Sequence, residues 1–141
     1  MAESKPQSRF EGARSTQSVP GDPSRTKQSL GAYGEEVAAR LLDASGLEIL
    51  DRNWRCAEGE LDVVARDGVA LVVCEVKTRS GSGFGSPLDA VTPAKAVRLR
   101  RLARCWLGEQ RTWFDEIRFD AVSVLCSHGG DVSVEHVRGV C

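Results

Sequence analysis

The chain has 141 residues, of which 41% are hydrophobic and 28% charged, a balance that suits one globular domain with a true core. Its 19 lysines and arginines and 20 aspartates and glutamates give a formal net charge of −1, which excludes a protein that coats nucleic acid through overall positive charge. No apolar stretch approaches the roughly 18 residues of a transmembrane helix. The N-terminus lacks the apolar core of a signal peptide, so we expect a cytoplasmic protein. The five cysteines include no Cys-x-x-Cys pair, which favours reduced thiols over a zinc site.

The chain is predicted to divide into a tail and one domain. Residues 1–29 are rich in Ser, Gln, Pro and Gly and have few large apolar side chains. Such a segment cannot bury enough surface to offset the entropy of ordering, so we predict a disordered polar tail. Residues 30–141 are predicted to form a single domain.

The first element of that domain is predicted to be a helix at residues 30–45 that ends at Gly46. Its apolar residues fall on one broad arc at helical spacing: Tyr33, Val37, Ala38, Leu41 and Leu42. Glu35 falls at the edge of this arc. From that position its carboxylate either extends over the sheet or reaches solvent at the boundary, and helical geometry alone favours neither.

A hairpin dominates the middle of the chain. After a strand at residues 47–54 and a turn at residues 57–59, residues 59–77 contain two Val-rich runs joined by Asp67-Gly68. Val-rich runs favour strands, and Asp-Gly between them indicates a tight turn that requires positive φ. We therefore predict a β-hairpin with Asp67 and Gly68 as its turn.

Charged side chains interrupt both strands of this hairpin. With the predicted turn, Asp62 faces Val73 and Glu60 faces Glu75. Since side chains alternate with period two, Lys77 then joins the three acids on one side of the sheet, whereas a three-residue loop would reverse that parity. Two carboxylates about 6 Å apart repel by roughly 2–3 kcal/mol at an effective dielectric constant near 20. A protonated carboxyl, exposure to water, or a bound divalent cation would each relieve that repulsion.

A glycine-rich connection at residues 78–87 follows the hairpin. It is either a flexible surface loop or a segment that closes over a substrate, with Arg79 as a phosphate contact.

The second helix is predicted to begin with Thr92 as its cap and Pro93 as its first residue. Its core face is predicted to comprise Leu99, Leu102, Ala103 and Trp106. Its other faces are predicted to carry the basic residues Lys95, Arg98, Arg101 and Arg104. A basic helix is usually only a solvated face, but beside an acidic metal site it also suits a phosphate backbone.

Two further strands are predicted at residues 117–125 and 132–137. Asp120 is interpreted as a structural acid near the sheet edge. His128 and His136 show no ligand spacing and are interpreted as loop or surface histidines.

The hairpin also contains a recognisable motif. Asp62 is followed after twelve residues by Glu75-Val76-Lys77, a pattern similar to the D…(D/E)xK signature of the restriction-endonuclease-like superfamily. A longer series in the same order is more specific: Gly34-Glu35, Asn53-Trp54-Arg55, Gly59-Glu60-Leu61-Asp62, Glu75-Val76-Lys77-Thr78-Arg79, Phe84-Gly85, Lys95 and Arg118-Phe119-Asp120. Over residues 30–126 this series resembles the uncharacterised bacterial YraN-like family of that PD-(D/E)xK superfamily. Leu61 stands where the superfamily name has proline.

The resemblance implies an α/β fold with a restriction-endonuclease-like αβββαβ core, in which helices flank a mixed central sheet. It also implies a Mg²⁺-dependent or Mn²⁺-dependent endonuclease that hydrolyses phosphodiester bonds in DNA, with DNA favoured over RNA. The implied catalytic residues are Glu35, Asp62, Glu75 and Lys77. The implied metal ligands are Asp62, Glu75 and the carbonyl of Val76, which are hard oxygen donors.

Two other functions fit the same sequence. One is a catalytically silent nucleic-acid-binding module, and the other is a protein-interaction domain whose acidic face is only solvated. No helix-turn-helix or zinc finger is recognisable, which favours selection of substrate structure over base sequence. A homodimer through an apolar edge at Trp113 and Phe114 is a further hypothesis, and no membrane partner is expected.

Overall fold

The computed structural model of the protein describes residues 27–81 and 91–141. Two helices and five strands follow one another in these ranges: α1 Lys27–Ala44, β1 Glu48–Cys56, β2 Gly59–Asp67, β3 Ala70–Ser80, α2 Pro93–Glu109, β4 Glu116–Cys126 and β5 Val132–Val137. Helix α1 begins at Lys27, three residues before the predicted helix start at residue 30 and inside the segment predicted as a tail. The rest of the tail, and residues 82–87 of the predicted glycine-rich loop, lie outside the described residues.

The five strands form one mixed sheet in the order β1-β2-β3-β4-β5, where β3 and β4 pair in parallel and the other neighbours pair antiparallel. A parallel pair needs a long crossover, and α2 lies in the connection between β3 and β4. The predicted α/β class with a mixed sheet is therefore confirmed.

A helix covers each face of the sheet. Neighbouring residues of the central strands point to opposite faces, so each strand contributes to the core beneath both helices. Val72 and Cys74 belong to a buried cluster with Ala38 and Leu42 of α1. Leu71 and Val73 belong to a second buried cluster that includes the apolar residues of α2. The Val-rich runs are thus buried on both faces, which explains why they lack a simple alternation of polar and apolar residues.

The predicted hairpin forms, but its register differs by two residues from the prediction. The turn comprises Gly68 and Val69, so that Val64 pairs with Val73 rather than with Leu71. Gly68 has φ 65° and is the first central residue, the position at which a type II′ turn uses glycine. Since the shift is an even number of residues, each strand keeps the face that the prediction assigned to it.

The N-terminus of α2 matches the prediction. The Thr92 hydroxyl accepts a hydrogen bond from the N–H of Lys95 at 3.1 Å, and Pro93 is the first helical residue. The predicted core residues Leu99, Leu102, Ala103 and Trp106 are all buried. The indole of Trp106 donates to Asp51 at 3.0 Å, which fixes α2 against β1.

On the face of the sheet that α1 covers, Asp120 is 1% exposed and fully hydrogen-bonded. Its carboxylate accepts two bonds from Arg118, at 2.9 and 3.0 Å, and one from the N–H of Gly139 at 3.0 Å. Nε2 of His136 lies 2.8 Å from the same carboxylate. Asp120 therefore has the structural environment that the sequence suggested, whereas His136 lies on β5 with its side chain largely buried and is not a surface histidine.

Trp113 and Phe114, the predicted apolar edge, differ in their environments. Trp113 is 81% exposed, whereas Phe114 is buried beneath the guanidinium of Arg66 and beside Trp106. Within the described ranges, neither helix has the length and apolar character that crossing a membrane requires.

Candidate active site

A pocket of about 270 Å³ opens between the sheet and α2. Strands β2 and β3 supply its acidic side chains, and α2 supplies basic and apolar ones. The residues that line it are Gly59, Glu60, Asp62, Glu75, Lys95, Arg98, Leu99 and Leu102. The predicted acids Asp62 and Glu75 therefore share one cavity with two of the predicted basic residues.

Asp62 lies where the regular pairing between β2 and β3 ends, one residue beyond the pair of Val63 and Cys74. Its Oδ2 accepts a hydrogen bond of 2.9 Å from the N–H of Val76. Burial is the main cause that raises the pKa of Asp62 to about 7, and the negative charges of Glu75, Glu35 and Glu60 raise it further. The hydrogen bond from Val76 lowers the pKa and offsets part of this shift. The raised pKa of Asp62 therefore reflects burial first and the neighbouring acids second.

Glu75 already has a cationic partner. Nζ of Lys95 lies 2.6 Å from its Oε2, and the two side chains are 33% and 14% exposed, respectively. The predicted position of Lys95, away from the core face, is therefore wrong. Lys95 precedes Leu99 by four residues and Leu102 by seven, which places all three on one stripe of the helix.

Glu35 approaches the acidic cluster from α1. Burial raises the pKa of Glu35, as do Glu60 and Glu75, while Arg52 and a hydrogen bond from Asn53 oppose the shift. Asn53 has φ 52°, a left-handed conformation that asparagine tolerates better than most residues. The same helix supplies Glu36, which forms ion pairs of 3.0 Å with Arg40 and Arg52 and so connects α1 to β1.

The remaining predicted site residues lie outside the pocket lining. Lys77 is two residues beyond Glu75 on β3, on the same face, with an exposed side chain. The N–H of Val76 binds Asp62, while its side chain packs against the core cluster beneath α1. Arg79 lies near the end of β3 and pairs with Leu125 in the sheet.

The predicted basic residues of α2 are divided between two directions. Arg98 lines the pocket beside Lys95 and makes no ion pair with another described residue. Arg101 lies 3.7 Å from Glu58 in the turn between β1 and β2, and Arg104 is exposed farther along the helix. Among the basic residues of α2, only Lys95 and Arg98 thus combine positive charge with direct access to the acidic pocket.

Glu60 is the site residue that sequence reasoning placed on the correct face but left out of the catalytic set. It lines the pocket, and it contributes to the raised pKa of both Glu35 and Asp62. Nε of Arg55 lies 3.0 Å from its carboxylate, so part of its charge is balanced at the rim. The alternation of β2 carried this signal, since Glu60 and Asp62 are two residues apart.

The chemistry of these side chains fits a hard divalent cation, because carboxylates are hard oxygen donors and a nearby positive charge would favour the ionised form of Asp62, whose pKa is raised. In residues 27–81 and 91–141, however, no three His, Cys, Asp or Glu side chains converge closely enough to form a ready-made metal site. Asp62 and Glu75 are the two candidate side-chain ligands, and Lys95 now occupies the neighbourhood of one of them.

Comparison with known proteins identifies the relatives of this chain. The model of a family described as uncharacterised protein family UPF0102 matches residues 34–124, a range that includes the whole pocket lining. A UPF0102 protein of Beutenbergia cavernae is 57% identical over 116 residues, which cover 82% of this chain and 98% of the relative. One from Frankia alni is 58% identical over 115 residues, with 82% and 96% covered. A third, from Nocardia farcinica, is 54% identical over 114 residues, with 81% and 90% covered.

Proposed function

Because the chain belongs to the uncharacterised protein family UPF0102, we propose a function from its pocket: a metal-dependent nuclease of the restriction-endonuclease-like type that hydrolyses phosphodiester bonds in DNA. The observation that carries the proposal is the shared pocket of Asp62, Glu75, Lys95 and Arg98. It combines acids that can hold a dication with cations that can hold a phosphate. The YraN-like motif series and the αβββ order of the first elements support the same proposal.

The metal would be Mg²⁺ or Mn²⁺, with Asp62, Glu75 and the carbonyl of Val76 as its ligands. When bound, it would neutralise the carboxylates and stabilise negative charge on the phosphate. Arg98 and a displaced Lys95 would bind the phosphate backbone, since both already face the pocket. Lys77 would reach the reacting phosphate from the exposed end of β3.

Glu35 would act as the proton acceptor for the attacking water. A general base is most effective when its pKa lies near the working pH, and burial together with Glu60 shifts the pKa of Glu35 in that direction. Its position on α1 lets it approach the acidic cluster from outside the strands that bear Asp62 and Glu75.

A test of this function is cleavage of labelled single-stranded, duplex, flap and four-way DNA with Mg²⁺ or Mn²⁺. Wild type is compared with Asp62→Asn and Lys77→Ala. Asp43→Asn is the matched control, because Asp43 is exposed on α1 about 12 Å along the helix from Glu35. We expect wild type and the control to cut at least one substrate. Both site variants should lose about 100-fold or more in rate, because one removes a proposed metal ligand and the other a group that stabilises charge on the phosphate.

A catalytically silent nucleic-acid-binding module is the second candidate, and the ion pair between Lys95 and Glu75 favours it. A lysine at 2.6 Å already neutralises one of the two candidate metal ligands. Binding of the DNA panel with the same affinity in EDTA and in Mn²⁺, without cleavage, would establish this module. A protein that binds neither DNA nor Mn²⁺ would refute both candidates and leave the acidic pocket as an interaction surface.

A further inference from the structure

The turn between β1 and β2 lies against α2. Cys56, the last residue of β1, packs against the core cluster that contains Leu102. Gly59 lies so close to α2 that an added Cβ would be 3.5 Å from the Leu102 side chain. Glu58 lies 3.7 Å from Arg101. The turn and the middle of α2 therefore form one packed junction at the end of the acidic pocket.

Two partly exposed cysteines meet at this junction. Cys105 follows Arg101 by four residues, so both side chains leave α2 on the side that faces the turn. Its thiol is within interaction range of the Cys56 thiol: burial raises the pKa of Cys105, and the charge of Cys56 and a hydrogen bond to it add to that shift. The N–H of Glu58 donates a hydrogen bond to Sγ of Cys56 at 3.3 Å, which holds that sulfur beside the turn.

The other three cysteines have different environments. Cys74 and Cys126 are buried, and Cys141 is exposed at the end of the chain. Access to an oxidant combined with a neighbouring thiol is therefore a property of Cys56 and Cys105. Cys56 and Cys105 are each only partly buried.

We propose that Cys56 and Cys105 form a redox modification site that closes to an intramolecular disulfide. Its oxidant is a low-molecular-weight disulfide such as oxidised glutathione. The Cys56 thiolate attacks one sulfur of that disulfide and releases one thiol, and the Cys105 thiolate then attacks Cys56 and releases the second. Both protein protons go to the solvent or the released thiolates, two protein thiols are oxidised, and one external disulfide is reduced.

The crosslink joins the two walls of the acidic pocket. Cys56 is three residues before Gly59 and four before Glu60 on the strand side, while Cys105 lies three residues beyond Leu102 on the helix side. The disulfide would hold these walls at a fixed separation, and an excess of reduced thiol would release them. This inference concerns the thiols alone and holds whether or not the pocket cleaves DNA.

Peptide mapping tests the site without any substitution, because trypsin separates all five cysteines. Cleavage after Arg and Lys puts Cys56 in a peptide of residues 56–66 and Cys105 in a peptide of residues 105–111. The folded full chain is incubated with oxidised glutathione, its remaining thiols are alkylated, and the digest is analysed by mass spectrometry with and without dithiothreitol. We expect one dominant linked pair, 56–66 with 105–111, that dithiothreitol separates.

Substitutions and a denatured sample complete the test. Cys56→Ser should leave Cys105 as a stable mixed disulfide with glutathione, and Cys105→Ser should do the same for Cys56, while Cys141→Ser should leave the linked pair unchanged. The proposal is overturned if wild type retains separate mixed disulfides at Cys56 and Cys105, or leaves both thiols free while Cys141 reacts. It is also overturned if the linked pair forms only in urea, since the folded junction would then not bring the thiols together.

Discussion

Asp62 and Asp120 are both buried in the sheet. The charged neighbours of Asp62 are acidic, whereas those of Asp120 are basic. Asp62 has three glutamates nearby, and its pKa is raised from 3.8 to about 7. Burial also raises the pKa of Asp120, but hydrogen bonds from His136, Arg118 and Gly139 outweigh burial and lower it to about 2. The ionised carboxylate is therefore unfavourable at Asp62 and favourable at Asp120, so the same substitution is expected to change the free energy of unfolding in opposite directions at the two positions.

Asp62→Asn is expected to stabilise the metal-free protein at neutral pH. Between about pH 4 and pH 7 the unfolded chain ionises Asp62 while the folded protein keeps its proton, so the wild-type free energy of unfolding falls as pH rises. Asparagine keeps an acceptor for the N–H of Val76 and has no charge, so the gain should approach about 2–4 kcal/mol at pH 8 and vanish near pH 4. Urea unfolding in EDTA across this pH range measures it. An equal difference at every pH would contradict the assignment.

Asp120→Asn is expected to destabilise the protein by about 3 kcal/mol at pH 7, because it leaves Arg118 partly buried with only Asp67 as an ionic partner. The wild-type contribution of Asp120 is present above about pH 4 and is lost as pH falls toward 2. Urea unfolding at pH 7 measures the loss, with the exposed Asp43→Asn as the matched control. A loss no larger than that of the control would refute this role of Asp120.

Lys95→Ala is expected to strengthen Mn²⁺ binding and weaken DNA binding. The lysine ammonium at 2.6 Å competes with a dication for Glu75, so its removal should raise Mn²⁺ affinity by about tenfold, while the pocket loses a phosphate contact. Calorimetric titration with Mn²⁺ and fluorescence anisotropy with labelled DNA measure the two changes. Arg104→Ala removes a charge from an exposed position of the same helix and should leave Mn²⁺ affinity unchanged.

At the scale of elements, α1 can approach β3 closely because its contact residue is glycine. A Cβ at Gly34 would overlap the Thr78 hydroxyl and lie 2.7 Å from both its Cβ and Cγ2. These atoms are fixed close to the backbone of β3, so the helix itself would have to move. The close approach also sets the position of Glu35, which follows Gly34 directly.

Gly34→Ala is therefore expected to lower the free energy of unfolding by about 1–3 kcal/mol, the usual cost of overpacking. Gly31→Ala is the matched control in the same helix, since nothing lies within 4 Å of its added Cβ. Alanine has a better helix propensity than glycine, so Gly31→Ala should raise the free energy of unfolding by up to about 1 kcal/mol. Chemical denaturation of both variants measures the difference, and the same sign of effect for both would exclude a close contact at Gly34.

At the scale of the whole molecule, the net charge is close to zero, and the positive charge that matters for the proposed function lies at the acidic pocket. The net charge of −1 provides no general attraction to a polyanion, and Lys95 and Arg98 face the pocket from the N-terminal half of α2. In the proposed function, DNA binding depends on these cations near the pocket, and substitution can separate their contributions from those of distant cations.

Arg98→Ala is expected to weaken DNA binding by about tenfold and to reduce the dependence of log affinity on log salt by about one unit. Arg111→Ala is the matched control, because Arg111 is exposed beyond the C-terminal end of α2. Anisotropy titrations at several salt concentrations measure both quantities. Equal losses from the two substitutions would mean that DNA does not bind at the pocket.

Local patterns in the sequence were sufficient for the elements and for part of the site. Valine-rich runs predicted the central strands, Thr92-Pro93 predicted the start of α2, and period-two alternation placed Glu60, Asp62 and Glu75 on one face. Those signals depend on residues close together in the chain. The assignment of the acids to one face stayed correct although the predicted hairpin register was wrong by two residues, because an even shift keeps each side chain on its face.

Only the tertiary structure decided which side chains from distant parts of the chain lie next to each other. The pairs Lys95 with Glu75 and Cys56 with Cys105 join residues far apart in the chain, and their contact depends on how α2 packs across the sheet. The raised pKa of Asp62 depends in the same way on burial beneath that helix. Sequence periodicity fixes the face on which a side chain projects, whereas the balance of burial and charge follows from the elements that pack over that face.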